Sequence, residues 1–268
     1  MKQSVGQIDK TQFGPWAFVT GASSGIGVEF ARQLAANGIN LVLVARRLTL
    51  LNELGTKLTK EYGIRNKSIA LDLSQESFID RVDEETKDLD IGLLVSNAGA
   101  GHPGRFLDQN IDDLRSIFRL NALSPLALTH YFGNRIVKRG RGGVLLVGAM
   151  GAVDGMPFMA NAGASKSYVH SLGRGLHSEF LDQGIHLTVL APGLIDTPVL
   201  EKLGVKRETL PVKPLPVDQF VREGLQALSA NKMEAIPGRL FRIMNWLIPT
   251  RVSRRMTGER LKAASGAK

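Results

Sequence analysis

Along this chain, short continuous apolar runs alternate with longer stretches in which apolar residues recur every three or four positions. Trp16-Ala17-Phe18-Val19, Ile39 to Ala45, Ser68 to Leu73, Ile91 to Ser96, Gly143 to Ala149 and Ile185 to Ala191 are runs of strand length. Continuous rather than alternating hydrophobicity predicts strands covered on both faces. Between them, Val28 to Asn37 places Phe30, Ala31, Leu34 and Ala35 on one helical stripe and stops at Asn37-Gly38. Leu48 to Tyr62 places Leu51, Leu54 and Leu58 likewise and stops at Gly63. Gln75 to Lys87 reads as a polar helix, Ala160 to Leu181 as a long one and Val217 to Ser229 as another. Asp112 to Arg139 is helical throughout, but Pro125 removes a backbone donor inside it, which predicts a kink or break near Ala122 to Ser124. Leu210 to Pro216 holds three prolines and reads as a loop. Strands alternating with helices at this spacing imply parallel pairing through right-handed crossovers: an α/β fold with a doubly wound, Rossmann-type sheet in a single domain.

Candidate chemistry gathers where the strands end. The first strand runs through Thr20-Gly21-Ala22-Ser23-Ser24-Gly25-Ile26-Gly27 into the first long helix. A strand, a glycine-rich turn and a helix form an anion site, because helix amides point into the turn and glycines let a pyrophosphate approach the backbone. The ligand-contacting set is Gly21, Ser23, Ser24, Gly25, Ile26 and Gly27. At the end of the second strand, where a site for NAD would present a carboxylate to the ribose hydroxyls, the chain has Ala45-Arg46-Arg47. Arg46 and Arg47 suit a 2′-phosphate, with a hydroxyl added by Ser23 or Ser24, so the expected cofactor is NADP(H). The plainer reading is a solvated start to the next helix.

The turn has the spacing TGxxxGxG. Asp72 follows after the third strand, Asn97-Ala98-Gly99 after the fourth, Asn121 on a helix, then Ala164-Ser165-Lys166, and Pro192-Gly193 with Thr197. In this order, from about Phe18 to Leu200, the chain resembles the short-chain dehydrogenase/reductase family. The resemblance implies that Asp72, with Leu73 beside it, contacts the adenine. The backbone of Asn97, Ala98 and Gly99 would lie along the adenosine, and Pro192, Gly193 and Thr197 would hold the nicotinamide carboxamide. Lys166 and Asn121 would hold the nicotinamide ribose and an ordered water.

Two departures stand against the resemblance. The family delivers a proton to a carbonyl from a tyrosine four residues before the lysine, a spacing that puts both on one helical face so that the lysine charge lowers the phenol pKa. Here that position is Ala162. A serine thirteen residues earlier binds the substrate oxygen in the family; here it is Ala149. Tyr168 lies about 200° around the helix from Lys166 and faces elsewhere, and Ser165 is also turned from the required face. Stand-ins are better sought on loops at the carboxyl ends of strands: Asp154, Asn161 and His102, the last with a usable pKa. His130, His170, His177 and His186 show no metal-ligand grouping and read as fillers of helix and strand surfaces; no metal is expected. Three accounts stay open: a member that keeps its cofactor and has lost the usual reduction, a chain altered on purpose at both positions, or an enzyme whose acid is water, the substrate or a loop residue. The class is therefore an NADP(H)-dependent oxidoreductase at a ketone or alcohol, or a non-catalytic NADP(H)-binding or scaffold protein.

Composition narrows the setting. At 268 residues, 43% hydrophobic and 22% charged, the chain suits one globular domain. No cysteine is present, which excludes disulfides and thiolate chemistry and fits a reducing compartment. Met1 to Gly14 lacks the apolar core of a signal peptide, and no stretch reaches the ~20 apolar residues that span a bilayer. The expectation is a cytoplasmic protein, soluble or peripheral. Of the net charge of +9, seven units lie from Arg239 onward, where eight bases face one acid, Glu259. General affinity for nucleic acid is thus not indicated. We divide the chain into a cofactor-binding domain, 1–236, and a basic amphipathic helical tail, 237–268. The tail reads either as a membrane-surface segment or as a helix closing the substrate pocket or meeting a second subunit. Similar tails in reductases of acyl and steroid ketones imply a lipophilic ketone or acyl substrate, and the resemblance implies a homo-oligomer formed through the two long helices.

Overall fold

The structure, a computed structural model, describes residues 6–202, 204, 210 and 212–266. A short helix α1 (Lys10–Phe13) leads into β1 (Trp16–Thr20), α2 (Gly25–Ala36), β2 (Asn40–Ala45), α3 (Leu48–Tyr62), β3 (Asn66–Ala70), α4 (Phe78–Thr86) and β4 (Ile91–Ser96). The second half contains α5 (Ile111–Phe118), α6 (Ser124–Arg139), β5 (Gly142–Val147), α7 (Ala160–Leu181), β6 (Ile185–Leu190), α8 (Val199–Lys202), α9 (Val217–Ser229) and β7 (Glu234–Ala235). Two helices, α10 (Arg239–Leu247) and α11 (Thr250–Ser265), close the chain. The strands form one parallel sheet in the order β3-β2-β1-β4-β5-β6-β7, so the winding reverses between β1 and β4.

Alternate strand residues feed two cores. Val19, Leu41, Leu43, Val95 and Leu145 pack with Phe30, Leu34, Leu51, Phe220 and Leu225 from α2, α3 and α9. Phe18, Val42, Val44, Leu94 and Val144 pack with Val82, Phe132, Ile136 and Val169 from α4, α6 and α7. Burial on both faces is why the strands read as continuous apolar runs. Phe18 and Phe132 meet with ring centroids 4.7 Å apart across the second core; burying a side chain of this size contributes about 1.5–3 kcal/mol.

The expected doubly wound sheet is present, with several local differences, the first being that α2 starts at Gly25 and not at Val28, since Gly25 to Gly27 are already helical. The third strand is earlier than Ser68 to Leu73, and Leu73 is instead a core residue beyond its end. The fifth strand stops at Val147, leaving Gly148 and Ala149 in the exit loop. The polar helix is shorter than Gln75 to Lys87, because Gln75 is taken up by a turn in which its N–H bonds the Asp72 carbonyl. Two-residue β7 has no hydrophobic run to announce it and is held by Val189 N–H and Ala191 N–H donating to Met233 O and Ala235 O. Of the expected 210–216 loop, Pro211 lies outside the described residues; Leu215 bridges to Ile195.

Pro125 does break the Asp112 to Arg139 helix. Lacking an N–H, it cannot serve the Asn121 carbonyl, and the chain inserts a π-helical turn, Arg119–Leu123, in which Ser124 N–H reaches back to Arg119 O. The Ser124 hydroxyl donates to Leu120 O at 3.0 Å, giving a second bond to the widened turn. Asn121 sits in that turn, fully buried, with its side chain bonded to Ala100 in the loop after β4 and to Ser165 of α7.

Candidate functional site

The turn after β1 lies where the strand order reverses, the place at which open α/β sheets bind ligands. Gly21 takes a left-handed φ of 67°, which an L side chain would resist. A Cβ on Gly27 would fall on the Gly21 carbonyl oxygen, so α2 can press against the turn only with glycine there. Ser24 is the N-cap of α2 and makes no side-chain cap bond. Ile26 packs into the first core, so a ligand meets its backbone. Gly25 begins the helix under buried Thr197, whose Cβ would lie 3.3 Å from a Cβ at that glycine.

A residue the sequence reading passed over, Thr20, joins the two halves of the switch. Its hydroxyl oxygen accepts from Asn97 N–H and Ala98 N–H, both at 2.9 Å, and Asn97 Nδ2 donates to Thr20 O at 3.0 Å. The Asn97-Ala98-Gly99 segment is thereby fixed against the glycine turn. Thr20 is the first residue of the TGxxxGxG spacing, but its bonds to Asn97 and Ala98, 77 and 78 residues on, form only once β1 and β4 pair.

The two arginines reach the turn differently. Arg47 Nη2 donates to Ser23 Oγ at 3.0 Å and Ser23 O at 3.1 Å, so its guanidinium already sits over the glycine turn. Arg46 faces Asp72 electrostatically. Burial pushes the Asp72 carboxyl upward, but hydrogen bonds from Ser74 N–H and the Ser74 hydroxyl, with the Arg46 charge, outweigh it and hold the pKa below the ordinary value.

On the other side of the sheet crossover, Lys166 and Asn121 assemble around Gly99. Lys166 Nζ donates to Val147 O at 2.7 Å, and loss of water around the ammonium lowers its pKa to about 8. Asn121 Oδ1 accepts from Ala100 N–H at 2.9 Å, while Nδ2 donates to Ala100 O at 2.8 Å and to Ser165 Oγ at 3.1 Å. A Cβ on Gly99 would stand 3.1 Å from Lys166 Nζ and 3.2 Å from Asn121 Oδ1, so the three converge on one spot. Ser165 is expected to turn from this face, but its Oγ accepts from Asn121 Nδ2 and itself donates to Ala162 O at 2.8 Å.

Ala162, Lys166 and His170 succeed one another at intervals of four on α7 and share a face. Ala162 is buried, and the loop bearing His102 runs past it: a Cβ at Gly101 would lie 3.3 Å from Ala162 Cβ, while His102 itself is exposed. Asp154 is exposed in the loop after β5, on the rim of a groove of about 970 Å³ that also meets Ala149, Arg174, Glu223, Lys232 and Glu234. Asn161 spends its Nδ2 on Leu114 O at 2.8 Å, fastening α7 to α5.

His170 corrects the expectation that it fills a surface. It is 2% exposed, with Nδ1 2.8 Å from Glu234 Oε1 and Nε2 3.1 Å from both the N and O of Ala149. The ring lies where a side chain at Gly148 would be. His170 thus ties edge strand β7 to the exit of β5. Its bond to Glu234 holds that carboxyl's pKa down against burial, aided by Arg174, whose Nε and Nη2 reach Glu234 Oε2 at 2.8 and 2.6 Å. His177 and His186 hydrogen-bond Leu187 O and Leu228 O. Among the described residues no group of three or more metal-ligating side chains exists.

Pro192 and Gly193 leave β6 beside the β5 exit, with Pro192 O accepting from Met150 N–H at 2.9 Å. Gly193 lies under Phe241 of α10, whose Cδ1 would be 2.7 Å from a Cβ there.

The family model for short chain dehydrogenase matches residues 15–208. A very-long-chain 3-oxoacyl-CoA reductase of Neurospora crassa is 35% identical over 229 residues, spanning 84% of this chain and 68% of that protein. A 17-beta-hydroxysteroid dehydrogenase type 3 of Rattus norvegicus is 30% identical over 252 residues, 92% of this chain and 80% of that one. Among solved structures, a short-chain dehydrogenase from Sphingobium yanoikuyae in complex with NADPH superposes with a TM-score of 0.79 at 28% identity, covering 95% of this chain and 96% of the other.

Proposed function

The chain belongs to the short-chain dehydrogenases, and from that premise we propose that it binds NADP(H) in a site built for hydride exchange between NADPH and a lipophilic ketone or alcohol, with the usual proton donor absent. Arg47 hydrogen-bonded onto Ser23 carries the choice of cofactor: a guanidinium and a hydroxyl stand together where a 2′-phosphate would lie. Gly21, Ser24, Gly25, Ile26 and Gly27 would receive the pyrophosphate, with Asp72 and Leu73 on the adenine side, Asn97 to Gly99 along the adenosine, and Pro192, Gly193 and Thr197 at the nicotinamide. The cofactor, when bound, supplies the hydride.

The chain's own part in the reaction is positioning. Lys166 and Asn121, converging on Gly99, would orient the ribose and a water. Ala149 and Ala162 offer only methyl groups to the reacting oxygen, so a proton must come from water, the substrate or a loop group such as His102, whose loop passes Ala162. Asp154, on the groove rim, is the poorer candidate. Losing a positioned donor costs about 10²–10⁴-fold, while proximity to hydride is retained. Relatives that are a 3-oxoacyl-CoA reductase and a hydroxysteroid dehydrogenase support an acyl or steroid-like ketone as substrate class.

The test is NADPH consumption against lipophilic ketones and 3-oxoacyl thioesters, with this chain beside an Ala149→Ser/Ala162→Tyr double variant. We expect NADPH affinity to agree within a few-fold and turnover to rise about 10²–10⁴-fold in the variant. No turnover by either protein, with NADPH still bound, would favour a non-catalytic NADP(H)-binding or scaffold role. The intact cofactor half beside two methyl groups is what favours that second reading.

Two further expectations belong to the same reading. Phe106, Leu107, Ile111, Phe118, Leu123 and Leu126, around α5 and α6, expose apolar surface, which supports a homo-oligomer. Among the described residues no helix is long and apolar enough to cross a membrane. We place the protein in the cytoplasm or on a membrane surface facing it, and we treat 1–236 and 237–268 as units of different function.

A further inference from the structure

The C-terminal helices have two unlike sides. Underneath, Phe241 of α10 is buried on Gly193 in the loop leaving β6, and Gly258 of α11 abuts the Pro157 ring in the loop leaving β5. Arg242 fastens α10 by donating to Glu223 Oε2 at 2.8 Å and Ile236 O at 3.2 Å. The helices therefore rest on the two loops that flank the substrate side of the sheet.

The outer side is apolar without a cover. Leu240, Ile243 and Leu247 are 49%, 42% and 59% exposed and lie within about 60° of one another around α10. Trp246 stands beside them at 83%, and Val252 continues the surface onto α11. Arg239, Arg251, Arg254 and Arg255 are exposed on the same two helices, whose one acid, Glu259, is taken by Arg255 at 2.8 Å. Apolar side chains with a tryptophan, set among arginines of which only Arg255 meets an acid of these helices, are the chemistry of an interfacial helix on anionic lipid. A second copy is the poorer occupant, because it would bring the same cluster of like charge against this one.

We propose that the outer face of α10 and the start of α11 docks on an anionic lipid surface, holding the loops that leave β5 and β6 at that surface. The docking stands on the exposed face alone; only the identity of what enters, a lipophilic ketone, rests on the reading above.

The chain supplies its own reporter. Its two tryptophans are Trp16, buried, and Trp246, exposed. The full chain would be mixed with phosphatidylcholine vesicles, with and without roughly one third phosphatidylserine, at low and high salt, following tryptophan emission and co-sedimentation. Expected are a blue shift and pelleting with the anionic vesicles, at least tenfold weaker on neutral vesicles, and weakened by salt. Leu247→Asp, a charge placed on an already exposed position, should abolish both, and Arg254→Glu/Arg255→Glu should weaken binding about tenfold or more. NADPH binding measured in the same samples should be unchanged in all variants, so failure of the cofactor reading and failure of docking are told apart. Absence of shift and pelleting with anionic vesicles overturns the proposal. So does a blue shift that appears without lipid as protein concentration rises, which would assign the face to a second copy.

Discussion

The two ends of the site are built by different means. Around β1 and β4, backbone does the work: a left-handed Gly21, a helix pressed against it through Gly27, and Asn97-Ala98 clamped by the Thr20 hydroxyl. Around β5 and α7, side chains do it: Lys166 on Val147 O, Asn121 on Ala100, His170 between Ala149 and Glu234. A backbone cradle tolerates almost no change at its glycines, whereas a side-chain site can lose its reacting groups and keep its fold. On the proposed reading, Ala149 and Ala162 in the second region, beside an unbroken first region, are what such a loss would leave.

The largest effect should come from breaking the cradle. Gly27→Val sets side-chain carbon on the Gly21 carbonyl and forces α2 away from β1. NADPH affinity, by fluorescence titration, should fall at least about a hundredfold, more than 2.7 kcal/mol. If Gly27→Val bound NADPH normally, the division into a rigid and a tolerant half would be wrong.

In the tolerant half, Lys166 should matter most through its charge. Its pKa is about 8 in the folded chain and about 10.5 when unfolded. Below pH 8 both states are protonated, and the buried ammonium lowers stability. Between about pH 8 and 10.5 the unfolded chain binds more protons, so stability rises with pH and the penalty is gone above the unfolded value. Lys166→Met removes this slope. Compared by denaturant unfolding without cofactor, the two proteins should differ in pH dependence by about 3 kcal/mol across the window. Parallel curves would mean that Lys166 keeps its water.

How much of this was legible follows the same division. The glycine turn, the Arg46-Arg47 pair and an interruption of the helix at Pro125 can be read from sequence because each depends on one residue type with a singular backbone or charge; that the interruption is a π turn, Arg119–Leu123, cannot. The absence of the serine and tyrosine is a matter of counting from Lys166. His170 reads as a surface filler because its partners, Glu234 on edge strand β7 and the backbone of Ala149 in the loop after β5, lie 64 and 21 residues away, and nothing local marks a histidine as buried. Thr20 and β7 were missed for a similar reason: their hydrogen bonds exist only once the sheet has closed. The tail's amphipathic character was plain in the sequence, but which of its faces is turned inward depends on where Gly193 and Pro157 lie in space.

A smaller effect sharpens the cofactor end. Arg47→Ala removes a guanidinium that already rests on Ser23. A hydrogen bond to a charged group is worth about 1.5–3 kcal/mol, so NADPH binding should weaken about 10- to 100-fold while NADH binding changes little. Equal loss for both would assign Arg47 to holding the turn instead of reading the 2′-phosphate.

His170→Phe should be the mildest of the set. The substitution removes the bond to Glu234 Oε1 and leaves Ala149 N–H without its imidazole acceptor. It does not strand the carboxylate, because Arg174 keeps two bonds to Glu234 Oε2. Glu234 is only part-buried, and with Arg174 in place the expected loss is about 1–2 kcal/mol of unfolding free energy. NADPH affinity should not move, since Thr20, Gly27 and Arg47 are untouched. Pairing the change with Arg174→Ala should cost more than the sum of the two single variants, because only then is Glu234 left without a cation or a donor. Additive losses would show that Glu234 is reached by water, and that the β5 and β7 ends are held by the sheet alone.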